Sequence, residues 1–428
     1  MGRKLKAAIA GLGSRGKDAY AAAARLFPDK MEIAAIADTD PAKVLETARE
    51  YQVPEETCFA SAEEMLAQDR LADVMIIATQ DRQHVKHALP ALRKGYHLLL
   101  EKPVSPDLEE CRELVRAAGE CGRQVVVCHV LRYAPFYMKL KEIIDSGVIG
   151  EIVSVMAVEN VGWWHHAHSF VRGNWRNSDT TSPMILQKCC HDMDILLWLT
   201  GKTCKSVSSF GDLYLFRRER APEGAAGRCV DGCKARAGCP FDAEKIYMDH
   251  EEYGILHGNR GWPLDVLALH PSRKSIEEAL RSGPYGRCVY YCDNNVVDHQ
   301  VVNLNMTDGS TFSLTMCGFT ADISRYTKFM GTKGEIIADM AANTIRLTEF
   351  GRETKVIKIR KSEDFSRHGG GDNRMVEDFL DMIIEGRVPD DRMTSVERSV
   401  ESHYCALAAE ESRLKDGAVI EIEPMRRG

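Results

Sequence analysis

The pattern of apolar and polar positions changes character once along this chain. Up to about residue 130, short apolar runs alternate with stretches in which apolar side chains recur every three or four positions. Lys6–Ala10, Glu32–Ala37, Val74–Thr79, His97–Leu100 and Gln124–His129 read as strands. Between them, Gly16–Leu26, Pro41–Tyr51, Ala62–Gln68, His84–Lys94 and Pro106–Cys121 read as helices. Strands alternating with helices at this interval require parallel crossovers, and so a doubly wound α/β sheet. Asp40-Pro41 and Ser105-Pro106 each join a capping side chain to a proline suited to a first helical turn.

After Tyr133 strand-like segments dominate: Glu151–Asn160, Cys204–Phe216, Val297–Met306, Ser310–Gly318 and Thr344–Phe350. Asp308-Gly309 between two alternating runs is a hairpin signal. A large, mostly antiparallel open sheet of α+β type is expected, with helices at Asn373–Glu385 and Ser395–Lys415 packing across the domains. The stretch 217–284 has no clean period and is rich in Gly, Pro, Arg and Cys, so it reads as an irregular insertion. The division expected is 1–130 for the first domain and 131–428 for the second.

Composition narrows the classes. With 428 residues, 44% apolar and 28% charged, the chain is an ordinary globular one of two-domain size. A net charge of −7 argues against nucleic acid or an anionic membrane as partner. The apolar runs are too short to span a bilayer. Gly11 and Gly13 interrupt the basic and apolar N-terminal patch before it resembles a leader, so a cytoplasmic location is expected.

Gly11-Leu12-Gly13-Ser14-Arg15-Gly16 lies between a strand and a helix, the context in which this spacing has meaning. The first glycine permits the turn, the second lets a pyrophosphate approach the backbone, and the third lets the helix pack close. Asp38, at the end of the next strand, is spaced to accept bonds from ribose hydroxyls. With Asp40 beside it, Asp38 disfavours a 2′-phosphate, so NAD is favoured over NADP. Ser14 and Arg15 belong to the same candidate site, and Arg15 could offset that preference by pairing with a phosphate.

Further motifs follow in order: Ala78-Thr79-Gln80-Asp81-Arg82-Gln83-His84, Glu101-Lys102-Pro103, Arg132-Tyr133, Trp175-Arg176 and His191-Asp192-Met193-Asp194. With the glycine loop, this series resembles the Gfo/Idh/MocA oxidoreductases, NAD(P)-dependent dehydrogenases of sugars and cyclitols. The resemblance implies a Rossmann domain followed by an open antiparallel sheet often used for homo-oligomerisation, with the active site between. It implies that Thr79, His84, Glu101 and Lys102 line the nicotinamide side and that Trp175 and Arg176 approach the cofactor. Two positions depart from the family pattern. Asp81 stands where asparagine is usual, and Gln187 stands where many members have an aspartate four residues before the histidine.

Alcohol oxidation needs a hydride acceptor and a base. Histidine as a residue type titrates near neutrality, so His191 is the expected acid/base, with Lys102 bonding the reacting oxygen. Arg132, Trp164, Gln187 and Asp192 are candidate substrate contacts, whereas Asp194 reads rather as helix-starting. A small carbohydrate is the expected partner. Because Gln187 cannot take a proton, a redox-neutral glycosidase stands beside the dehydrogenase. It would oxidise C3 transiently, eliminate the aglycone and return the hydride.

Trp163-Trp164-His165-His166-Ala167-His168 reads as a solvent-facing loop near a sugar pocket rather than a metal site. Fourteen cysteines are mostly scattered as single thiols, but Cys229, Cys233 and Cys239 cluster within the insertion. Cys288, preferred over Cys292, could complete a four-thiolate shell for a structural zinc. An iron–sulfur cluster and plain buried thiols are the alternatives.

Overall fold

A computed structural model describes residues 4–360 and 367–427. The first six strands are β1 (Leu5–Ala10), β2 (Met31–Ala37), β3 (Cys58–Phe59), β4 (Val74–Ile77), β5 (His97–Leu100) and β6 (Val125–Val127). They form one parallel sheet in the order β3-β2-β1-β4-β5-β6. Val74–Ile77, Leu98–Leu100 and Val125–Val127 are buried throughout, because helices cover both faces. The chain reverses direction across the sheet between β1 and β4. Open α/β sheets form their ligand crevices at such a switch point, outside the carboxyl ends of the strands.

The expected helices are present, one of them with a shifted start. Asp40 caps Pro41–Tyr51 by accepting from the Ala42 N–H at 3.0 Å. The helix expected from Pro106 begins at Leu108 instead, capped by Asp107, which accepts from the Glu109 and Glu110 N–H groups. Ser105 is buried, and its hydroxyl accepts from the Asp107 N–H, so it shapes the preceding turn.

The second sheet contains β7 (Ile152–Asn160), β8 (Cys204–Asp212), β9 (His299–Met306), β10 (Thr311–Cys317), β11 (Ser324–Gly331), β12 (Gly334–Asp339), β13 (Thr344–Glu349), β14 (Lys355–Lys358) and β15 (Ile420–Glu421). Its order is β14-β13-β12-β11-β7-β10-β9-β8-β15, with only β7 and β10 parallel. Asp308-Gly309 joins β9 to β10, with Gly309 at φ +86°. One face carries the core (Val155, Val302, Leu304, Phe312, Leu314, Phe329), while Met156, Phe210 and Val301 are exposed on the other.

Strand β8 and the insertion both depart from the sequence reading. Strand β8 stops at Asp212, and Phe216 leaves the sheet to pack with Phe241 and Val289. The insertion also has a core of its own, including Ile246, Tyr247, Ile255, Ile276 and Leu280. Its helix Arg273–Ser282 is closed by a capping box between Ser272 and Ser275. Ile276 and Leu280, four apart among charged residues, are the signal that identifies this helix in the sequence.

The helix Gly371–Glu385 packs on the first domain, burying Met375, Val376, Phe379 and Leu380 in one apolar cluster with Leu5, Ile9 and Ile36. The backbone of Thr394 continues this contact, accepting from the Val127 N–H. The nucleotide-type domain is therefore built from two separated stretches of chain.

Candidate active site

The glycine loop emerges from β1 against the end of β4. A Cβ at Gly11 (φ +89°) would lie 2.4 Å from the Ala78 carbonyl oxygen, and one at Gly16 would lie 1.8 Å from that of Gly11. A Cβ at Gly13 would meet nothing within 4 Å. The turn is therefore tight at its ends and open at its middle, with Ser14 starting the helical segment Ser14–Ala21. Asp38 accepts from the Leu12 N–H at 2.6 Å and the Asp40 N–H at 2.8 Å. Each carboxylate oxygen keeps a further acceptor site.

Arg15 turns inward rather than toward the mouth of the loop. Its guanidinium donates to Glu101 at 2.6 Å, Asp372 at 2.5 Å and the Tyr20 hydroxyl at 2.6 Å. Tyr20 in turn donates to Glu101, which also accepts from the Lys102 N–H at 3.0 Å. Burial pushes the Glu101 carboxyl up, but Arg15, Lys102 and the Tyr20 bond outweigh it and hold it below the usual range. Glu101 thus stays ionised and couples the glycine loop to the backbone of Lys102.

Thr79 and His84 form a similar brace. His84 bridges the Thr79 and Pro103 carbonyls at 3.0 and 2.7 Å. The Thr79 hydroxyl meets His87 Nδ1 at 3.1 Å. The loops after β4 and β5 are fixed to each other, and Lys102 projects from between them. Its ammonium donates to the Gln187 carbonyl at 2.8 Å, across to the second domain.

His191 is buried at the start of the helix Cys190–Thr200, just after Gln187. Its ring stands edge-on to His129, with centroids 5.6 Å apart. His129 contacts Asp194 at 3.1 Å, and Arg132 grips the same carboxylate at 2.7 and 2.5 Å. Asp192 accepts from Arg325 at 2.8 Å, and Arg325 also pairs with the buried Glu159 at 2.9 Å. Lys188 joins the same network, 3.2 Å from Glu159.

The remaining candidates are bonded within the protein. The Trp175 indole N–H donates to Asp81 at 3.3 Å, and Ser182 donates to it at 2.8 Å, so Asp81 serves as an inter-domain acceptor. Arg176, expected near the cofactor, is bound to Asp293 at 2.8 and 3.1 Å. Arg132, read as a substrate contact, is committed to Asp194. Trp164 is stacked on Tyr253 inside the insertion core, which removes it from the substrate contacts. The histidines after it are not a solvent-facing loop: His166 and His168 are buried, and His168 Nδ1 meets the Tyr247 hydroxyl at 2.9 Å. The sequence reading missed Glu159 and Arg325, whose only signal was a charged residue within a strand.

Cys229, Cys233, Cys239 and Cys288 line one small cavity, while the Cys292 thiol donates to the Cys288 carbonyl. Among the described residues, no group of three or more His, Cys, Asp or Glu side chains is closed up to hold a metal ion. The zinc shell expected from the sequence is therefore not an assembled centre.

Burial also sets an acid limit on stability. It lowers His166 to about 4, His168 to about 3 and His403 to about 3. In the unfolded chain these rings titrate near about 6.5. Between those values the unfolded state binds more protons, so stability is full above the unfolded pKa and falls with falling pH. Each ring contributes about 1.4 kcal/mol per pH unit. Melting temperature should be level above neutrality and drop steeply from pH 6 to pH 5. An unchanged melting temperature across that interval contradicts the assignment.

The first-domain model that matches residues 5–129 is the oxidoreductase family, NAD-binding Rossmann fold. The GFO/IDH/MocA C-terminal domain matches residues 137–229. Together they cover just over half of the chain, which belongs to the Gfo/Idh/MocA family of NAD-binding oxidoreductases. YteT of Bacillus subtilis, an oxidoreductase by assignment, is 24% identical over 83% of both chains. An inositol 2-dehydrogenase of Corynebacterium glutamicum is 26% identical over 48% of this chain and 57% of its own. A 2,7-anhydro-N-acetylneuraminate hydratase of Escherichia coli is 28% identical over 40% of this chain and 44% of its own. Among solved structures, levoglucosan dehydrogenase in complex with NADH and levoglucosan superimposes with a TM-score of 0.70 at 16% identity. That match covers 98% of this chain and all of the other, and the likeness is one of fold.

Proposed function

We propose that this chain is an NAD-dependent dehydrogenase that oxidises a secondary hydroxyl of a sugar, glycoside or cyclitol. The carrying observation is Lys102, braced by Glu101 and bonded to the Gln187 carbonyl where the two domains meet. Gly11, Gly13, Ser14 and Gly16 would receive the pyrophosphate, and Asp38 the adenosine ribose, favouring NAD over NADP. Bound there, the nicotinamide supplies the hydride acceptor that side chains lack. Lys102 exchanges its carbonyl partner for the reacting hydroxyl, and the proton passes to His191, directly or through Lys102. Glu101, Thr79 and His84 hold Lys102 in place, and Gln187 offers an amide to a neighbouring hydroxyl. The exposed apolar side chains of the second sheet's outer face support a homo-oligomer, which size-exclusion chromatography would test.

A second reading rests on Gln187, where many family dehydrogenases have an aspartate, and on the hydratase among the relatives. Transient oxidation acidifies the adjacent C–H, elimination follows, and the hydride returns with no net redox change. A glycoside panel separates the two when NADH absorbance and aglycone release are followed together. NADH growth without cleavage supports the dehydrogenase. Aglycone release with catalytic NAD and no net NADH sinks it.

The glycine loop gives a sharper prediction about the cofactor. An added Cβ at Gly13 clashes with nothing in the protein but projects toward the proposed pyrophosphate. Gly13→Ala should keep its melting temperature and weaken NADH binding about tenfold or more. Gly16→Ala should lose stability as well, because its Cβ meets backbone. Calorimetric titration with NADH checks both, and wild-type affinity in Gly13→Ala would remove the loop from the cofactor site.

A further inference from the structure

Apart from the reaction, the insertion carries an arrangement that the proposed active site does not use. Cys229, Cys233 and Cys239 come from one loop, and Cys288 comes from the far side of the helix Arg273–Ser282. All four line a single small, partly open cavity of about 10 Å³, room for one water-sized atom. Four cysteines from two separate stretches of chain thus border one space.

Arg172 also lines that cavity. It is fully buried, and among the described residues no carboxylate pairs with it. Its guanidinium donates to the Arg287 carbonyl at 2.7 Å, the Phe241 carbonyl at 2.6 Å and Cys229 Sγ at 3.7 Å, and the Tyr247 hydroxyl lies beside it, so every group that meets it is neutral. The Ala243 N–H donates to the same sulfur at 3.3 Å. Two donors converge on one sulfur, and a buried cation lacks a counter-charge. Neutral thiols are weak acceptors and carry no charge, so they answer neither demand.

We propose that Cys229, Cys233, Cys239 and Cys288 bind a zinc ion as thiolates, with Arg172 balancing the charge of the centre. Four thiols lose four protons to solvent as one Zn²⁺ binds, so the tetrathiolate carries two negative charges beside the guanidinium. Zinc accepts four sulfurs tetrahedrally and has no redox chemistry, which suits a structural site. Among the described residues no three of these side chains are already closed up on a common centre, so binding contracts the shell. Arg172 ends the segment Ala167–Arg172, three residues before Trp175 and its bond to Asp81. The metal therefore secures the insertion to the segment that reaches the nucleotide domain.

The test uses the full chain purified without added metal. Elemental analysis should find about one zinc per chain. Titrating the wild-type protein with a mercurial, in the presence of a zinc-responsive dye, should release that zinc as the cluster thiols react. Cys233→Ser and Cys239→Ser should lose the metal, while Cys292→Ser should keep it. Exchange with Co²⁺ should give the visible absorption of tetrahedral cobalt thiolate. Folded wild-type protein without stoichiometric metal overturns the proposal, as do disulfides among these cysteines. Stoichiometric iron with acid-labile sulfide overturns the zinc assignment.

Discussion

Replacing Lys102 by Ala should lower kcat by about 10²–10⁴-fold, the usual worth of a positioned proton-transfer group, and leave NADH binding nearly unchanged. The side chain leaves the nucleotide loop intact, because Glu101 reaches the Lys102 backbone rather than its ammonium. Lys102→Arg should not restore turnover. A guanidinium keeps the charge but does not give up a proton at working pH and cannot replace a compact ammonium at the Gln187 carbonyl. Steady-state kinetics with the best substrate, together with NADH titration, decides the matter. Full turnover in Lys102→Ala would refute the role.

Asp194→Ala should cost about 3–5 kcal/mol of stability, the range for removing one partner of a buried ion pair. Asp194 is buried with Arg132 and His129 on its two oxygens, and its loss strands a buried guanidinium. Burial alone would raise this carboxyl, but Arg132 and His129 hold it well below the usual range. Its contribution is therefore present above the ordinary carboxylate pKa and fades as pH falls toward the depressed one. Denaturant unfolding at neutral pH measures the loss. If Arg132 and Asp194 instead contact substrate, the variant raises KM while keeping its unfolding midpoint.

How much of this was legible in the sequence depended on whether a residue's partners were local. The nucleotide fold was legible because buried parallel strands are apolar throughout and a glycine loop between strand and helix has few other uses. Glu101-Lys102-Pro103 and His191 could be picked out by order alone. The partners of Arg15, Arg132, Arg176 and Trp164 could not, since Asp372, Asp194, Asp293 and Tyr253 lie far along the chain. An arginine beside a conspicuous motif looks the same whether it awaits a ligand or is committed to a carboxylate. Strands β11 and β12 were missed for a related reason: Arg325, Lys328 and Glu335 interrupt their apolar alternation. Their partners lie elsewhere in the fold (Asp192 and Glu159 for Arg325) or across the hairpin between Lys328 and Glu335.

The bond from Arg15 to Asp372 spans 357 positions. During synthesis, the glycine loop leaves the ribosome long before the carboxylate that completes its ionic cluster exists. Until the segment around 371–394 emerges, Leu5, Ile9 and Ile36 lack their covering helix and Val127 lacks its backbone partner. The first domain to be made is thus among the last to be finished. A nascent chain stalled before this segment would expose the same apolar surface that chaperones bind.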